Sequence, residues 1–346
     1  MKYSAILFSI LALLCGRSFA AEKPNVLFII VDDLTTTLTC MGNPSVHTPH
    51  MDALAARGVR FDHAYTQFAL CNPSRCSFLT GCYPERTKVF DLVTSLRGGL
   101  PKEVTLPQFF KNRGYVTGRI GKVFHVADPN TKLDVQLGAA LSKDTALFED
   151  AKAENDPDDK PHGKAKGEGF NRSWAASSKP DSEFTDHQIA SDAISTLEQF
   201  KDKPFFLAVG FIRPHTPYIA PKPYFDAIDK SKLVLPSFYR EGGEDVSKMP
   251  LSSLRPNNNV FRYAAPTLDE ARDAMQAYLA ATSFVDAQVG RVLAKLTEMH
   301  LEENTIVLLT GDHGYQLGEH GLWAKQTLFE GGTHVPLIIA APGVKP

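Results

Sequence analysis

Cys71 and Arg75 lie four residues apart in a segment that reads Cys-Asn-Pro-Ser-Arg-Cys-Ser-Phe-Leu-Thr-Gly over residues 71–81. Pro73 suits the first turn of a helix, which the residues after it can continue. A helix N-terminus offers unpaired N–H groups and a positive dipole end to an anion. A lone cysteine is most often a small buried residue, but a cysteine at this position could also act as a nucleophile towards a bound anion.

Two acidic pairs each follow a continuous apolar run. Asp32 and Asp33 come directly after the run 25–31, and Asp312 and His313 follow the run 305–310. Such runs are typical of strands buried on both faces, and ligands of open α/β sheets bind beyond the carboxyl ends of strands. Three carboxylates in one place repel unless a cation lies between them, and oxygen ligands favour Ca²⁺ or Mg²⁺. The alternative is that each aspartate only caps a turn.

Basic side chains follow other predicted strands. Singly, each of them is more often a surface or core residue than a functional one, but together they could surround the oxygens of an anionic ester. Histidine can also transfer a proton near neutral pH. The candidates are Lys122, His125, His215 and Lys325, and less clearly Arg213 and His320.

The segment at residues 71–81 matches the signature C-x-P-S-R-x-x-x-L-T-G, and the chain here resembles the type I sulfatases. The resemblance implies that a maturation enzyme oxidises Cys71 to formylglycine (3-oxoalanine). The hydrate of that aldehyde has two hydroxyls on one carbon. One would attack sulfur, and deprotonation of the other would expel sulfate, so no second attack at sulfur is required.

The resemblance also implies a ligand set and residue roles. Ca²⁺, with Mg²⁺ as the weaker alternative, would be held by Asp32, Asp33, Asp312, His313 and the oxygen of residue 71. Many sulfatases have Asn where this chain has His313. Arg75 and Lys122 would steady the hydrate, His125 would take the proton that releases sulfate, and His215 and Lys325 would hold the sulfate and assist the leaving oxygen.

The spacing of Lys122-Val-Phe-His125 narrows the resemblance, because most sulfatases place one residue, not two, between this Lys and His. The motifs around His215 and Lys325 agree, and together they resemble the iduronate-2-sulfatase group. We therefore expect hydrolysis of a sulfated carbohydrate, with a uronate 2-O-sulfate as one candidate substrate. The alternatives are a phosphodiester or phosphonate monoester hydrolase of the same superfamily, and a non-catalytic carbohydrate- or metal-binding relative.

The elements that must position these residues alternate between apolar strands and amphipathic helices along the 346-residue chain. This alternation predicts an α/β fold with a mostly parallel central sheet covered by helices on both faces, as in the alkaline phosphatase and sulfatase folds. Besides the two apolar runs above, we predict strands at 59–65, 115–120, 204–211 and 334–341. Helices are predicted at 48–58, 105–113, 185–200 and 268–299, and a further helix is predicted to start around Cys71 and to continue through Leu79.

The chain divides into a predicted signal peptide, residues 1–20, and a catalytic domain, residues 24–346. The signal has Lys2, an apolar run at 5–14 that is too short to span a bilayer, and a small-x-small cleavage site ending at Ala20. Export to the periplasm or beyond is therefore expected. Residues 128–183 read as a variable surface insertion, and 214–266 as a loop.

Two expectations concern what the sequence does not contain. The net charge of −2 has no basic excess that would indicate nucleic acid binding. Sulfatases usually continue into a smaller C-terminal domain with an antiparallel sheet, and no counterpart of it follows the last predicted strand.

Overall fold

The computed structural model describes residues 23–126, 133–138, 141–155, 173–254, 260–261 and 266–344. The predicted signal peptide lies outside the described residues. Within the described part, no helix combines the length and the apolar character that crossing a membrane requires.

Seven strands form one sheet with the order β2-β9-β8-β1-β6-β3-β4, and two further strands pair as β5-β7. The run from β8 to β4 is parallel throughout, whereas β9 is antiparallel to β8 and β2 is antiparallel to β9. The predicted α/β fold with a mostly parallel sheet is therefore confirmed. The strands are β1 Asn25–Val31, β2 Val59–Phe61, β3 Val116–Gly121, β4 Val135–Leu137, β5 Trp174–Ser177, β6 Phe205–Phe211, β7 Tyr218–Pro221, β8 Thr305–Gly311 and β9 Leu337–Ala340.

Helices cover both faces of the sheet. The α-helices are Pro49–Arg57, Cys71–Thr80, Pro84–Thr87, Leu96–Gly99, Leu106–Lys111, Leu141–Asn155, Thr185–Phe200, Lys222–Asp226, Leu268–Glu298 and Glu330–Thr333. Short 3₁₀ helices occur at Thr39–Met41, Asp181–Glu183, Lys230–Lys232, Ser237–Tyr239, Val246–Lys248, Leu251–Ser253, Glu302–Asn304 and Glu319–Gly321.

Successive residues of β1 enter two different hydrophobic clusters because side chains alternate across a strand. Leu27 and Ile29 pack with the helices Pro49–Arg57, Thr185–Phe200 and Leu268–Glu298 on one face. Val26 and Phe28 pack on the other face with apolar residues of the Cys71–Thr80 helix. Every residue of β1 is buried, which explains why its sequence reads as a continuous apolar run.

The helix Leu268–Glu298 is the longest of the described helices, with 31 residues. Thr267 and Glu270 form a capping box at its N-terminus, which pairs two of the backbone N–H groups that a helix start leaves free. Its first half contributes to a third cluster built around β5 and β7, and its second half packs on the sheet. The helix Leu268–Glu298 therefore packs against both the seven-stranded sheet and the β5–β7 pair.

The sequence prediction and the structure differ most in three places. The strand predicted at 59–65 is only Val59–Phe61, and the segment predicted as a loop at 214–266 contains β7 and the helix Lys222–Asp226. Residues 128–183, predicted as a surface excursion, supply β4 at the sheet edge. They also supply the helix Leu141–Asn155, from which Leu147 and Phe148 enter the core. Smaller differences occur at the strand predicted at 334–341, observed as Leu337–Ala340, and at the helix predicted at 105–113, observed as Leu106–Lys111.

Candidate active site

The candidate residues meet at the carboxyl edge of the parallel sheet. Asp32 follows β1, Lys122 follows β3, and Asp312 follows β8, while His215 lies four residues beyond β6. Because β3, β6, β1 and β8 are adjacent parallel strands, their carboxyl ends bring these side chains to one place. Cys71 reaches the same place as the first residue of the helix Cys71–Thr80.

Cys71 is 1% exposed and lies between two nitrogen atoms. Its Sγ is 3.2 Å from His313 Nε2 and 3.1 Å from Lys325 Nζ. Burial and the charge of Asp32 raise the pKa of the thiol, but Lys325, His313 and Lys122 outweigh them, so the pKa lies well below its usual value. In formylglycine, an oxygen on the same carbon would take the place of this sulfur. The surroundings favour an anionic atom there.

Arg75 holds two of the carboxylates together. Its Nη2 is 3.0 Å from Asp32 Oδ1, and its Nε is 2.9 Å from Asp312 Oδ2. The guanidinium also donates to the backbone carbonyls of Lys122 and Val123, which fixes the segment after β3. All three side chains of this ion network are buried, so these charges are compensated by one another and not by water.

Asp33 has a left-handed backbone conformation, with φ at 61°. Asp312 Oδ1 accepts a hydrogen bond from the Asp33 N–H at 3.0 Å, and the Tyr278 hydroxyl donates to the Asp33 carbonyl at 2.8 Å. Lys325 Nζ contacts Asp33 Oδ1. Asp33 Oδ2 is buried and has no hydrogen-bond partner among the described residues. A buried carboxylate oxygen without a partner is costly unless a ligand such as a cation binds it.

His313 presents one ring nitrogen to the same space. Its Nδ1 lies 2.9 Å from the Gly314 carbonyl, to which an Nδ1–H can donate, so Nε2 is left to face Cys71. Such an arrangement is common for metal-ligating histidines, because the second bond fixes the ring and its tautomer. Burial lowers the pKa of His313, but the charge of Asp312 outweighs it and raises the pKa to about 9. A bound cation would have to displace that proton.

Two overlapping sets of side chains fit a divalent cation. Ligand atoms within each set lie no more than 4.8 Å apart. One set is Asp32, Cys71, Asp312 and His313, and the other is Asp32, Asp33, Cys71 and His215. The unpartnered Asp33 Oδ2 and the three carboxylates make this a predominantly oxygen donor set, which suits Ca²⁺ or Mg²⁺.

The predicted basic residues differ in how they approach the carboxylates. Lys122 Nζ pairs with Asp32 Oδ2. His215 lies near Asp32, and its Nδ1 is 2.6 Å from the Thr216 carbonyl. His125 is partly buried, and its Nδ1 has no hydrogen-bond partner among the described residues. The structure therefore brings Lys122, His215 and Lys325 to the carboxylates, whereas His125 makes no such contact.

Two candidates make contacts that the sequence does not predict. The resemblance implies that Arg75 steadies the formylglycine hydrate, which stays a prediction; its hydrogen bonds go to Asp32, Asp312 and two carbonyls, and Lys325 contacts Cys71 Sγ. His320, a weaker candidate, instead pairs with Glu244 at 2.6 Å. The sequence motif identifies which residues cluster but not which pairs form.

Two residues that sequence reasoning missed support the site from outside it. Tyr278 accepts from the Thr35 N–H at 2.9 Å and donates to the Asp33 carbonyl, so it holds the turn after β1. Asp144 pairs with Arg213 at 2.8 Å, close in sequence to His215. Neither residue can be recognised from the sequence around it, because each binds a partner that is far away in the chain.

A cleft of about 630 Å³ is lined in part by residues that adjoin Cys71 and Lys325 in sequence. Its lining includes their sequence neighbours Leu70 and Gln326 together with aromatic and polar side chains. The described lining residues carry no charge. They are Phe68, Ala69, Leu70, Phe90, Pro250, Ser252, Ser253, Gln326, Thr327, Leu328 and Phe329.

Residues 24–346 match the model of the sulfatase family, and the chain belongs to that family. Among curated relatives, iduronate 2-sulfatase of Homo sapiens is 35% identical over 333 residues, which cover 92% of this chain and 60% of that protein. A sulfatase of Formosa agariphila is 34% identical, with 93% and 65% covered. Choline-sulfatase of Rhizobium meliloti is 30% identical, with 94% and 64% covered. The chain thus spans about 60 to 65% of the length of these relatives.

Solved structures share the fold. A phosphonate monoester hydrolase from Silicibacter pomeroyi has a TM-score of 0.76 and 26% identity, with 93% of this chain and 69% of that chain covered. The phosphonate monoester hydrolase of Agrobacterium radiobacter has a TM-score of 0.73 and 25% identity, with 92% and 68% covered. A 2-O GAG sulfatase has a TM-score of 0.69 at 24% identity, with 94% and 65% covered, and this likeness concerns the fold alone.

Proposed function

We propose that this protein hydrolyses sulfate esters of a carbohydrate, with residue 71 acting as formylglycine after a maturation enzyme has oxidised its thiol. The observation that carries the proposal is the position of Cys71. It is the first residue of a helix, with Lys325 and His313 within 3.2 Å of its sulfur and the carboxylates of three aspartates around it. A nucleophile that must attack an anionic ester needs such neutralising cations.

As an aldehyde hydrate, residue 71 would supply one hydroxyl that attacks sulfur and a second whose deprotonation expels sulfate. Lys325 is placed to steady an anionic oxygen on this residue, because its Nζ lies 3.1 Å from the present sulfur. Arg75 keeps Asp32 and Asp312 in position instead of touching residue 71. We therefore assign the direct electrostatic role to Lys325 and the positioning role to Arg75.

Asp32, Asp33, Asp312 and His313 would hold a divalent cation, for which we favour Ca²⁺ over Mg²⁺. When bound, that cation supplies Lewis-acid polarisation of the attacking oxygen and a contact for a sulfate oxygen. Asp33 Oδ2 supports this assignment because it is buried and unpartnered among the described residues.

Two histidines are the candidates for proton transfer. His215 lies near Asp32 and has its Nδ1 beside the Thr216 carbonyl, so its Nε2 is available for a substrate or leaving-group oxygen. His125 follows Lys122 by three residues, and its buried Nδ1 has no hydrogen-bond partner among the described residues. We propose that His125 takes the proton that releases sulfate and that His215, with Lys325, assists the leaving oxygen.

The cleft that Leu70 and Gln326 help to line, with no charge among its described lining residues, supports a carbohydrate as the body of the substrate. Phe90 and Phe329 offer aromatic faces, and Ser252 and Gln326 offer hydrogen bonds, a mixture that suits a sugar ring. The likeness to iduronate 2-sulfatase makes a uronate 2-O-sulfate one candidate. The described cleft lining has no cation for a uronate carboxylate, so sulfated neutral sugars belong in the same comparison.

The place of action follows from the first twenty residues. Their charged start, apolar run and small-residue cleavage site support export, and we propose a secreted or periplasmic protein with cleavage after about Ala20. Sulfated polysaccharides are met in that compartment.

The test is a desulfation screen with protein whose residue 71 has been shown to carry an aldehyde by peptide mass and hydrazide labelling. Substrates would include an aryl sulfate, 2-O-sulfated uronate oligosaccharides and sulfated neutral oligosaccharides. We expect turnover by the mature protein and none by Cys71→Ala. Equal rates for the two proteins would exclude residue 71 as the nucleophile.

A second candidate is hydrolysis of phosphonate monoesters or phosphodiesters, which is favoured by the likeness to two phosphonate monoester hydrolases at TM-scores of 0.76 and 0.73. An aryl phosphonate and an aryl phosphodiester included in the same screen decide between them by kcat/KM. An intact thiol in protein from its native host, together with binding of oligosaccharide without turnover, would instead indicate a non-catalytic relative.

A further inference from the structure

A second cluster of buried charge lies beneath His215, away from the residue 71 side chain. Arg213 is 2% exposed, and its Nη2 lies 2.8 Å from Asp144 Oδ2. Its Nη1 donates to the backbone carbonyls of His215 and Pro217. One guanidinium therefore binds the chain on both sides of Thr216 and links it to the helix Leu141–Asn155.

Asp186 fixes the start of the same loop from the helix Thr185–Phe200. Its Oδ1 accepts from the Ile212 N–H at 2.7 Å, and its Oδ2 accepts from the Arg213 N–H at 2.9 Å. Asp144 in turn accepts from the Thr185 N–H at 2.9 Å, so the two helices and the loop form one hydrogen-bonded unit. The backbone is thus held immediately before and after His215.

Two short contacts with the backbone fix the position of the His215 imidazole. The His215 N–H donates to the Ile212 carbonyl at 2.9 Å, and His215 Nδ1 lies 2.6 Å from the Thr216 carbonyl. The ring therefore carries its proton on Nδ1 and leaves Nε2 for the reaction centre. A shift of the Thr216 carbonyl would move both the ring and its tautomer.

Stability alone does not explain this cluster. Replacing a buried ion pair with apolar residues of similar volume is often neutral or stabilising, whereas three charged side chains here are almost fully buried. What the charges add is directional hydrogen bonding to main-chain atoms on both sides of one histidine. Geometry of that kind matters where a misplacement of about 1 Å can cost 100-fold in rate.

We propose that Arg213, Asp144 and Asp186 are positioning residues that fix the orientation and tautomer of His215 at the reaction centre. The role assigned to His215 rests on the proposed function, but the orientation itself does not. Part of the segment 128–183, which the sequence presents as a variable surface insertion, thereby supplies a residue that supports the site.

The test compares the mature protein, in the presence of Ca²⁺, with Asp144→Leu/Arg213→Met, which removes the Asp144–Arg213 ion pair as a unit and leaves Asp186 bound to the backbone N–H groups of Ile212 and Arg213. Histidines carry ¹⁵N, and the resonances of His215 are assigned with His215→Gln. We expect wild-type His215 to show the Nδ1–H tautomer and the double variant to lose it while remaining folded. On the substrate found by the desulfation screen, kcat should fall about 100-fold with little change in KM.

Arg291→Met is the matched control, because Arg291 also binds a backbone carbonyl, that of His187, and the hydroxyl of Ser191 on the same helix, without touching the His215 loop. It should leave the His215 tautomer unchanged. If the double variant does not fold, Arg213→Lys replaces it, since lysine keeps the charge but cannot reach Asp144 and both carbonyls together.

An unchanged His215 tautomer in the folded double variant, or in Arg213→Lys, would overturn the proposal. If the wild-type protein hydrolyses no sulfate ester, the proposed function fails, and the nuclear magnetic resonance comparison still decides whether these residues position His215.

Discussion

Two buried arginines organise two clusters of carboxylates, and the clusters differ in how fully the carboxylate oxygens are paired. Around Arg213, both oxygens of Asp144 and both oxygens of Asp186 accept hydrogen bonds. Around Arg75, the neighbouring Asp33 Oδ2 has no partner among the described residues. Arg213 Nε has no hydrogen-bond partner in the part of the chain that the structure describes, so within that part its cluster has a spare donor and no spare acceptor.

Under the proposed function, this difference separates the reaction centre from the residues that support it. A spare carboxylate oxygen beside two other carboxylates is stabilised by a cation, so the Arg75 cluster is suited to take up a ligand. The Arg213 cluster uses its carboxylates on backbone N–H groups and on the guanidinium, so it is suited to hold a loop still. Two arginine–carboxylate clusters with similar composition therefore serve different purposes because of what their oxygens face.

The largest effect is expected from Arg75→Met. Loss of the guanidinium leaves Asp32 and Asp312 without their shared partner, and breaking a buried ion pair in this way costs about 3–5 kcal/mol in the free energy of unfolding. Added Ca²⁺ should recover part of that loss, because it can neutralise the same carboxylates. Urea denaturation with and without Ca²⁺ measures both quantities.

Arg86→Met provides the control for that measurement, since Arg86 pairs with Glu103 at 3.0 Å on the surface. Exposed pairs contribute about 0–1 kcal/mol. A loss in Arg75→Met no greater than in Arg86→Met would mean that Arg75 does not hold the carboxylates.

The second-largest effect is expected from removal of the cation, which should destabilise the Arg75 cluster but not the Arg213 cluster. At a free concentration of 100 times its Kd, a bound ion adds about 2.7 kcal/mol to the free energy of unfolding. We expect Ca²⁺ to stabilise chelator-treated wild-type protein and to stabilise Asp33→Asn much less. Asp144→Asn should lower the baseline stability yet respond to Ca²⁺ as the wild type does. The unfolding free energy, measured against Ca²⁺ concentration, would contradict the assignment if all three proteins responded alike.

The free energy of unfolding should depend on pH through Asp186, which belongs to the Arg213 cluster. Burial and the charge of Asp144 raise its pKa to about 7, despite Arg213 and two backbone N–H groups. The unfolded chain has a pKa near 3.9 for Asp, so folding favours the protonated form. Its contribution to stability is complete below about pH 4 and is lost as the pH rises through about 7. Asp186→Asn should therefore be least harmful, relative to wild type, at pH 8.

Unfolding free energies at pH 5 and pH 8 give that comparison. Asp286→Asn is the control, because burial likewise raises the pKa of Asp286 to about 7, at a position that caps the helix Pro49–Arg57 through the His50 and Met51 N–H groups. Each variant should lose the part of the pH dependence that its own carboxyl contributes, but only Asp186→Asn should alter the His215 tautomer. Parallel pH curves for wild type and Asp186→Asn would show that Asp186 keeps an ordinary pKa.

The smallest effect is expected from His320→Ala, which lies outside both clusters. Its Nδ1 pairs with Glu244 at 2.6 Å, and both side chains are partly exposed. Such a pair is worth about 1 kcal/mol or less. Thermal unfolding should change little, and kcat/KM should stay within about twofold of wild type. A loss comparable with that of Lys325→Ala would return His320 to the reaction centre.

Much of the fold followed from the sequence. The apolar runs that became β1 and β6 are buried along their whole length, and in β8 buried residues alternate with partly buried ones. Hydrophobicity along the sequence therefore agrees with burial in β1 and β6 and on one face of β8. The helix Thr185–Phe200 has the predicted ends. Prediction was poorer at residues 59–65 and 128–183, where a short edge strand and a polar helix depend on long-range partners more than on local pattern.

The clustering of candidate residues could also be anticipated, because strands that end in aspartate or lysine in a parallel sheet deliver those side chains to one edge. The pairings between individual side chains could not be anticipated from the sequence. The sequence does not reveal that Arg75 binds both Asp32 and Asp312, or that Lys325 contacts Cys71 across 254 positions of sequence. Tyr278 beneath Asp33 gave no signal at all, because a buried tyrosine on an amphipathic helix looks like any core residue.

The sequence by itself determined the family, the alternation of strands and helices, and the short motif that opens with Cys71. These features are encoded within stretches of a few to about twenty residues, over which periodicity and motif spacing act. Only the tertiary structure decided which cation neutralises which carboxylate and which oxygen is left over. Those choices arise where distant segments share a volume from which water is excluded, and there burial makes every unpaired charge costly and every contact decisive.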